Sequence, residues 1–187
     1  QMLVLHQVLR DLKVADAASR RFRVMESDQS LRRLSQLRLQ DDDAKRGADW
    51  VLICRGPHWL GWVDDQPLRD LPVQQWDLQT VGDHLRPLES LPSVADSAPI
   101  WQAIKVTEAS DQGRALVLSP AGLPAGTVDR MDSAEAVLKR LGVRLPPPIL
   151  DEARRHNRYP MGLVMLPQIV ESMSASSEPS DRERAST

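Results

Sequence analysis

The sequence has 187 residues, enough for one domain or two small ones with a core that needs no disulfide or metal. Its 24 lysines and arginines face 26 aspartates and glutamates, and the resulting net charge of −2 argues against a protein that neutralises nucleic-acid phosphates. Hydrophobic residues make up 41% and charged residues 27% of the chain, which is typical of a folded, soluble protein and excludes a wholly disordered one.

Metal, disulfide and membrane-spanning classes are also disfavoured. The single cysteine, Cys54, cannot form an intramolecular disulfide, which favours a cytoplasmic location. The four histidines lack zinc-ligand spacing, so no metal site is predicted. The longest apolar stretches, Met2–Leu5 and Met161–Leu166, are shorter than the roughly 20 residues of a membrane span. Because the chain begins at Gln1, we expect it to belong to a longer protein.

After an N-terminal helix, a first group of predicted elements lies between residues 28 and 72. Asp28 or Ser30 can cap a helix with a buried stripe at three-residue spacing. The stripe consists of Leu31, Leu34 and Leu37. Strands are predicted at Trp50–Cys54 and Trp59–Val63, on either side of a Gly/Pro turn. A closing helix is interrupted by Pro67.

The same order of elements recurs between residues 96 and 141. Asp96 or Ser97 is the predicted N-cap of an amphipathic helix. Its apolar face consists of Ile100, Ala103 and Ile104. Strands follow at Ala115–Leu118 and Ala125–Val128, and a convincing helix at Ser133–Leu141 closes the group.

A weak internal repeat accompanies this order. Residues 50–64 align without gaps on residues 115–129, at an offset of 65. Val51, Leu52 and Ile53 then meet Leu116, Val117 and Leu118, and Gly61-Trp62-Val63-Asp64 meets Gly126-Thr127-Val128-Asp129. Upstream, two Val-x-Asp segments, Val14–Asp16 and Val81–Asp83, resemble each other. We therefore predict two copies of a unit of about 65 residues.

The character of the chain changes after the second copy. Pro146–Pro148 is a stiff spacer, Ile149–Asn157 is a predicted helix, and Leu163–Val170 is a further apolar segment. Ser172–Thr187 is rich in serine and is predicted to be disordered. We expect four parts: a first unit with the N-terminal helix (1–76), a second unit (77–145), a helical extension (146–171) and a disordered tail (172–187).

Two stretches carry a resemblance to a known family. They are Gly126-Thr127-Val128-Asp129-Arg130-Met131-Asp132 and, as a weaker match, Gly61-Trp62-Val63-Asp64-Asp65-Gln66-Pro67. A doubled unit that ends in this pattern resembles the CBS domain pair, or Bateman module, over roughly Lys13–Gly142. The resemblance implies an α/β fold of tandem CBS-like β-α-β-β-α units with pseudo-twofold symmetry, plus a helical C-terminal extension.

A second likeness concerns the parent protein. Ser119–Arg130 and Ala153–Leu163 look like the cytosolic C-terminal part of site-2-protease-type membrane zinc metalloproteases that carry a CBS pair. Their zinc ligands lie in the membrane-embedded part, and none of that sequence is present here. The likeness implies a cytoplasmic, non-catalytic regulatory part of an intramembrane endopeptidase, tethered through an upstream part. It implies the parent's catalytic domain as a partner, and the CBS pair itself implies a homodimer.

The CBS resemblance also implies a cleft for an adenosine-type ligand. Asp132 inherits the ribose-binding position, and Gly126 the position where backbone approaches the ligand. Asp129 replaces a Thr or Ser, and its charge near a phosphate costs roughly 3 kcal/mol unless Arg130 or a metal ion compensates. We therefore expect adenosine or S-adenosylmethionine rather than AMP, ADP or ATP. One site is expected, because Pro67 leaves the first copy without a ribose acceptor.

Structural interpretations compete with these ligand roles. Asp132 precedes the predicted helix, and Glu135 three residues later would complete a capping box. Trp59, Trp62 and Trp101 can stack on a base, but they suit a core or an interface as well.

No catalytic residue is predicted, because the sequence holds no catalytic constellation and Ser119 lies in no Gly-x-Ser-x-Gly elbow. Two functions remain: a ligand-sensing regulatory module, and a structural dimerisation or interaction module with degenerate clefts. Pairing of two modules would bury the exposed tryptophans or one apolar helix face. That face carries Val137, Leu138 and Leu141.

Overall fold

The computed structural model describes residues 2–40 and 48–185, and the side chains of residues 3–40 and 48–175. The first half contains α1 (Met2–Asp11), α2 (Val14–Ala17), β1 (Phe22–Glu26), α3 (Leu31–Leu39), β2 (Trp50–Arg55), β3 (His58–Val63) and α4 (Gln66–Asp70). Short 3-10 turns follow at Val73–Gln75, Val81–His84 and Leu88–Ser90. The second half contains β4 (Ser93–Ala95), α5 (Ile100–Ala109), β5 (Arg114–Leu118), β6 (Pro124–Asp129), α6 (Arg130–Leu141), α7 (Pro147–His156) and α8 (Leu166–Ala185).

Two three-stranded sheets have the same topology, which confirms the predicted duplication. In the first sheet β1 lies parallel to β2, and β2 pairs antiparallel with β3; β4, β5 and β6 repeat this arrangement. Ser30 is the N-cap of α3, and its Oγ accepts from the Arg33 amide at 3.2 Å. The predicted caps of α5, Asp96 and Ser97, are wrong, because that helix begins after Pro99.

The alignment of the two copies needs a one-residue gap in the hairpin. Val51 pairs with Val63 and Ala115 pairs with Val128, so Val51 corresponds to Ala115 and not to Leu116. A one-residue shift exchanges the faces of a strand. Val51 and Ala115 both lie in apolar clusters with side chains of the neighbouring helix, which agrees with the corrected alignment. The turn is one residue longer in the second copy.

The two Val-x-Asp segments make equivalent backbone hydrogen bonds. The Val14 amide donates to the Ala98 carbonyl oxygen at 2.8 Å, just before α5, and the Val81 amide donates to Gln29 at 2.8 Å, just before α3. Val14–Asp16 therefore packs with the second copy, although the first copy follows it in sequence, and Val81–Asp83 packs with the first copy. Because of this exchange, residues 1–19 form one compact unit with the second copy, and residues 81–83 belong to the unit of the first copy.

The two compact units are Arg20–Leu91, called unit I, and Gln1–Ser19 with Pro92–Thr187, called unit II. The predicted boundary between residues 76 and 77 consequently falls inside unit I. Residues 1–19 belong with the second copy, whereas the sequence analysis assigned them to the first.

The C-terminal extension belongs to the core of unit II. Side chains of α8 share one hydrophobic cluster with α1, α5 and α6. Val137 and Leu138 are buried in this cluster, so the predicted pairing of two modules through them is wrong for this structure. The predicted disorder from residue 172 is also wrong at Met173 and Ser174, which are buried, and α8 continues to Ala185. Residues 186 and 187 lie outside the described residues.

None of the helices within the described ranges is long and apolar enough to cross a membrane.

The packing of the Val14–Asp16 segment with the second copy predicts that the Val14 side chain stabilises unit II. Its side chain is 0% exposed. Val14→Ala should lower the free energy of unfolding of unit II by about 2 kcal/mol, because two buried methyl groups are lost. Urea titration with hydrogen exchange at β5 measures the effect. Val164→Ala, at a side chain that is 67% exposed, is the control and should have almost no effect. Equal effects of the two substitutions would contradict this placement.

Candidate functional site

The predicted ligand-binding residues lie in unit II, where β6 passes into α6. This helix begins at Arg130, three residues before the predicted start at Ser133. The Asp132 amide donates to Asp129 Oδ1 at 2.8 Å, and the Asp129 amide donates to Asp132 Oδ2 at 3.1 Å. The two carboxylates thus form the capping box themselves. The box predicted for Asp132 and Glu135 is wrong, because the helix takes the earlier aspartate as its N-cap.

Ser19 completes this cluster from the far end of the chain. Its amide donates to the Thr127 carbonyl oxygen at 2.9 Å, and the Thr127 amide donates back at 2.7 Å. Its hydroxyl group donates to Asp132 Oδ2 at 3.1 Å. Asp129 and Asp132 are each only 7% exposed. The carboxylate at the predicted ribose position is therefore buried and hydrogen-bonded within the protein.

Gly126 allows the close approach of Ser19. A Cβ atom on Gly126 would lie 2.6 Å from the Ser19 carbonyl oxygen, which is closer than real Cβ contacts. At Gly126, where the sequence predicts close approach of backbone to a ligand, the group that approaches is the protein's own main chain.

Arg130 contacts Glu108 of α5 and Asn157, which lies at the end of α7 in the C-terminal extension. Its Nε atom donates to Glu108 Oε1 at 2.8 Å, and its amide donates to Asn157 Oδ1 at 3.1 Å. The role predicted for Arg130, compensation of a phosphate charge beside Asp129, would have to compete with the Glu108 ion pair.

Asn157 connects three segments of unit II. It caps the end of α7 with a left-handed backbone, φ 48°. Its Nδ2 atom donates to the carbonyl oxygens of Gln112 and Gly113 at 3.2 and 3.0 Å. Together with the bond from the Arg130 amide, these contacts fasten the extension to the starts of β5 and α6.

The first copy repeats part of this geometry in unit I. A Cβ atom on Gly61 would lie 2.4 Å from the Arg86 carbonyl oxygen, and Trp62 and Arg86 exchange backbone hydrogen bonds at 2.9 and 2.8 Å. The Asp64 carboxylate accepts from Arg86 Nη1 at 2.7 Å. Pro67 occupies the position of Asp132 and is buried near the start of α4.

Ser19, Asn157 and Glu108 are site residues that the sequence analysis missed. Ser19 had a usable signal, because extending the Val-x-Asp match by three residues aligns Ser19 with Arg86. Asn157 and Glu108 had none, since their partners are distant in sequence.

Within the described ranges, no group of three or more His, Cys, Asp or Glu side chains is arranged to hold an ion.

Comparison with solved structures decides the fold. No family model and no curated protein matches the chain. The CBS domain of a bacterial CNNM/CorC family Mg2+ transporter, solved in complex with ATP, is 20% identical and has a TM-score of 0.53; the match covers 73% of this chain and 94% of that one. CBSX2, a CBS-pair protein from Arabidopsis thaliana, is 18% identical with a TM-score of 0.54, over 71% and 98% of the two chains.

The chain has the fold of a CBS domain pair. A CBS domain pair/ACT domain protein from Thermotoga maritima matches as well, at 19% identity and a TM-score of 0.50, over 70% of this chain and 99% of that one. Because these matches cover nearly all of each neighbour, more than a quarter of this chain lies outside the shared CBS-pair fold.

The contact across Gly126 predicts a steric penalty. Gly126→Ala should destabilise the CBS pair by about 2–3 kcal/mol, because the added methyl group meets main chain that cannot rotate away. Thermal unfolding of the full chain measures this change. Gly122→Ala is the matched control: its φ of 76° is strained, but nothing lies within 4 Å, so the cost should be about 1 kcal/mol. A smaller effect at Gly126 than at Gly122 would refute the contact.

The burial of the Tyr159 phenol predicts that the protein loses stability at alkaline pH. Burial, and secondarily the charge of Glu108, raise the pKa of this phenol. The unfolded chain releases the proton near pH 10 while the folded chain retains it, so the free energy of unfolding falls as pH rises above about 10. Tyr159 is the single tyrosine, so phenolate absorbance reports on it alone. Absorbance should appear only with unfolding, and Tyr159→Phe should reduce the alkaline loss. A phenolate signal near pH 10 in the folded protein would contradict this.

Proposed function

We propose that this chain is a non-catalytic regulatory module of the CBS-pair type, and that it senses an adenosine-type ligand. The duplicated β-α-β-β-α unit, with its matching backbone hydrogen bonds, is the observation that carries the proposal. A CBS domain of the same fold has been solved with ATP, which makes an adenosine compound the natural class of ligand to test.

The proposed ligand is adenosine or S-adenosylmethionine, bound near Asp132 of unit II. Asp129 brings a negative charge to this region, and Arg130 is paired with Glu108. A phosphate placed beside the Asp129 carboxylate would meet a like charge, and Arg130 could offset that charge only by giving up part of its pairing with Glu108. A ribose that binds Asp132 has to share Oδ2 with the Ser19 hydroxyl group or displace it.

The proposed parent is a membrane-bound zinc metalloprotease of the site-2-protease type. The support is the sequence likeness of Ser119–Arg130 and Ala153–Leu163, and Arg130 and Asn157 join these two stretches by a hydrogen bond. The module would then lie on the cytoplasmic side, with the parent's catalytic domain as its partner. The coding sequence upstream of Gln1 tests this: membrane spans with a His-Glu-x-x-His helix would support it, and a soluble unrelated domain would refute it.

A second candidate is an interaction or dimerisation module that binds no ligand. The contacts that Ser19 makes with Asp132 and beside Gly126 favour this candidate, because they give Asp132 and Gly126 a structural role that needs no ligand. A homodimer would have to use surfaces other than Val137 and Leu138, which are buried.

Thermal unfolding separates the two candidates. Adenosine, S-adenosylmethionine, AMP and ATP are added in turn, and a ligand at 100 times its Kd should raise stability by about 2.7 kcal/mol. We expect a shift with adenosine or S-adenosylmethionine that Asp132→Asn removes. Asp64→Asn, at the corresponding loop of unit I, is the control and should retain the shift. No shift with any of the four compounds would refute ligand sensing and favour the interaction module.

A further inference from the structure

A cleft lies in unit II where the end of α6, the linker that follows it and the first half of α7 meet. Its volume is about 610 Å³, which falls in the range of ligand pockets, roughly 300–1,000 Å³. Asp129 and Asp132 lie at the start of α6, so this cleft is at the opposite end of the helix from the predicted ribose position. It is called the α6–α7 cleft.

The apolar part of the lining is aliphatic. Leu138 is buried in the core of unit II, and Leu145 and Leu150 pack against that core while remaining partly exposed. Val143, in the linker, is 46% exposed. All four side chains line the α6–α7 cleft. An aliphatic group that covers them leaves water, which raises affinity by up to about fourfold for each CH2 group buried.

Lys139 and Arg144 bring positive charge to the same cleft. Both residues are exposed, and in the part of the chain that the structure describes neither side chain makes an ion pair or a hydrogen bond. Glu135 also lines the cleft, but its carboxylate is ion-paired with Arg154 of α7. The lining therefore offers two unpaired cations and one carboxylate whose charge is already balanced.

The end of α6 is capped, which lessens its repulsion of an anion. Unpaired carbonyl groups give the C-terminus of a helix a partial negative charge. Here the Gly142 amide donates to the Lys139 carbonyl oxygen at 3.2 Å, and the Val143 amide donates to the Leu138 carbonyl oxygen at 3.0 Å. Gly142 has the left-handed backbone that this cap requires, with φ 72°.

We propose that the α6–α7 cleft binds a small aliphatic carboxylate, a molecule with one anionic head group and a hydrocarbon tail. Charge complementarity places the carboxylate beside Lys139 and Arg144, and the guanidinium group of Arg144 can donate two parallel hydrogen bonds to it. The tail lies against the aliphatic part of the lining, which adjoins these cations. The inference does not depend on the ligand proposed near Asp132.

Titration calorimetry of the full chain with decanoate, below the concentration at which it forms micelles, tests the ligand class. Decyltrimethylammonium has the same tail with the opposite charge, and acetate has the head group without the tail. We expect decanoate to bind about tenfold or more tightly than either compound, because only decanoate matches both parts of the lining. Equal binding of decanoate and decyltrimethylammonium, or no binding of decanoate, would overturn the proposal.

Charge reversal locates the site. Lys139→Glu with Arg144→Glu should weaken decanoate binding by about tenfold or more. The matched control, Arg140→Glu with Arg155→Glu, makes the same change of charge at exposed residues of α6 and α7 that do not line the cleft, and should change Kd by less than about twofold. All four positions are exposed, so both variants should fold, and thermal unfolding checks this. Equal weakening in variant and control would refute the site.

Vesicles distinguish a free carboxylate from a membrane surface. The full chain is sedimented with phosphatidylglycerol vesicles, which present anionic head groups whose tails are held in a bilayer. We expect binding of monomeric decanoate whether or not the chain sediments with the vesicles. Sedimentation with vesicles but no binding of monomeric decanoate would overturn the proposal in favour of a bilayer surface.

Discussion

The structure depends on a main-chain contact made twice, in which a segment from elsewhere in the chain pairs with the second strand of a hairpin beside a glycine. Ser19 makes it with Thr127, and Arg86 makes it with Trp62. Gly126 and Gly61 admit these segments, because a methyl group at either position would collide with a carbonyl oxygen. At each hairpin edge, one residue of the outer strand thereby exchanges a pair of backbone hydrogen bonds with the segment that joins it.

This constraint also governs the chemistry of the candidate site. When Ser19 pairs with Thr127, its hydroxyl group donates a hydrogen bond to Asp132. Asp129 and Asp132, at the start of α6, are buried, and each accepts a hydrogen bond from the other's amide. Residue types that suit ribose recognition are thus also the types that hold the fold together. A ligand bound at Asp132, as proposed above, would share atoms with the contacts that stabilise the fold and would act on it through the hydrogen bond of Ser19 with Asp132.

Local patterns predicted the elements that bury apolar runs, namely the paired strands from Trp50 and from Ala115 and the helix at Leu31. The short strands β1 and β4 were not predicted, because neither contains an apolar run long enough to indicate a strand. The start of α6 was placed three residues late, since Asp129 and Asp132 are equally good caps and only tertiary contacts decide between them. The pairing of Val14 with the second copy depends on an exchange of segments between the copies, and that of Asn157 with Arg130 joins α7 to the start of α6; no local pattern encodes either contact.

Unit II is discontinuous in sequence, and this affects how the protein can be made. Unit I is a continuous stretch, so all of its segments are available once Leu91 has been synthesised. The apolar stripe of α1 emerges before it, yet its partners in α5, α6 and α8 are synthesised last. During translation this stripe must stay in water or be held by a chaperone. The buried apolar residues of α1, namely Leu5, Val8, Leu9 and Leu12, are therefore the residues of unit II that wait longest for their partners during synthesis.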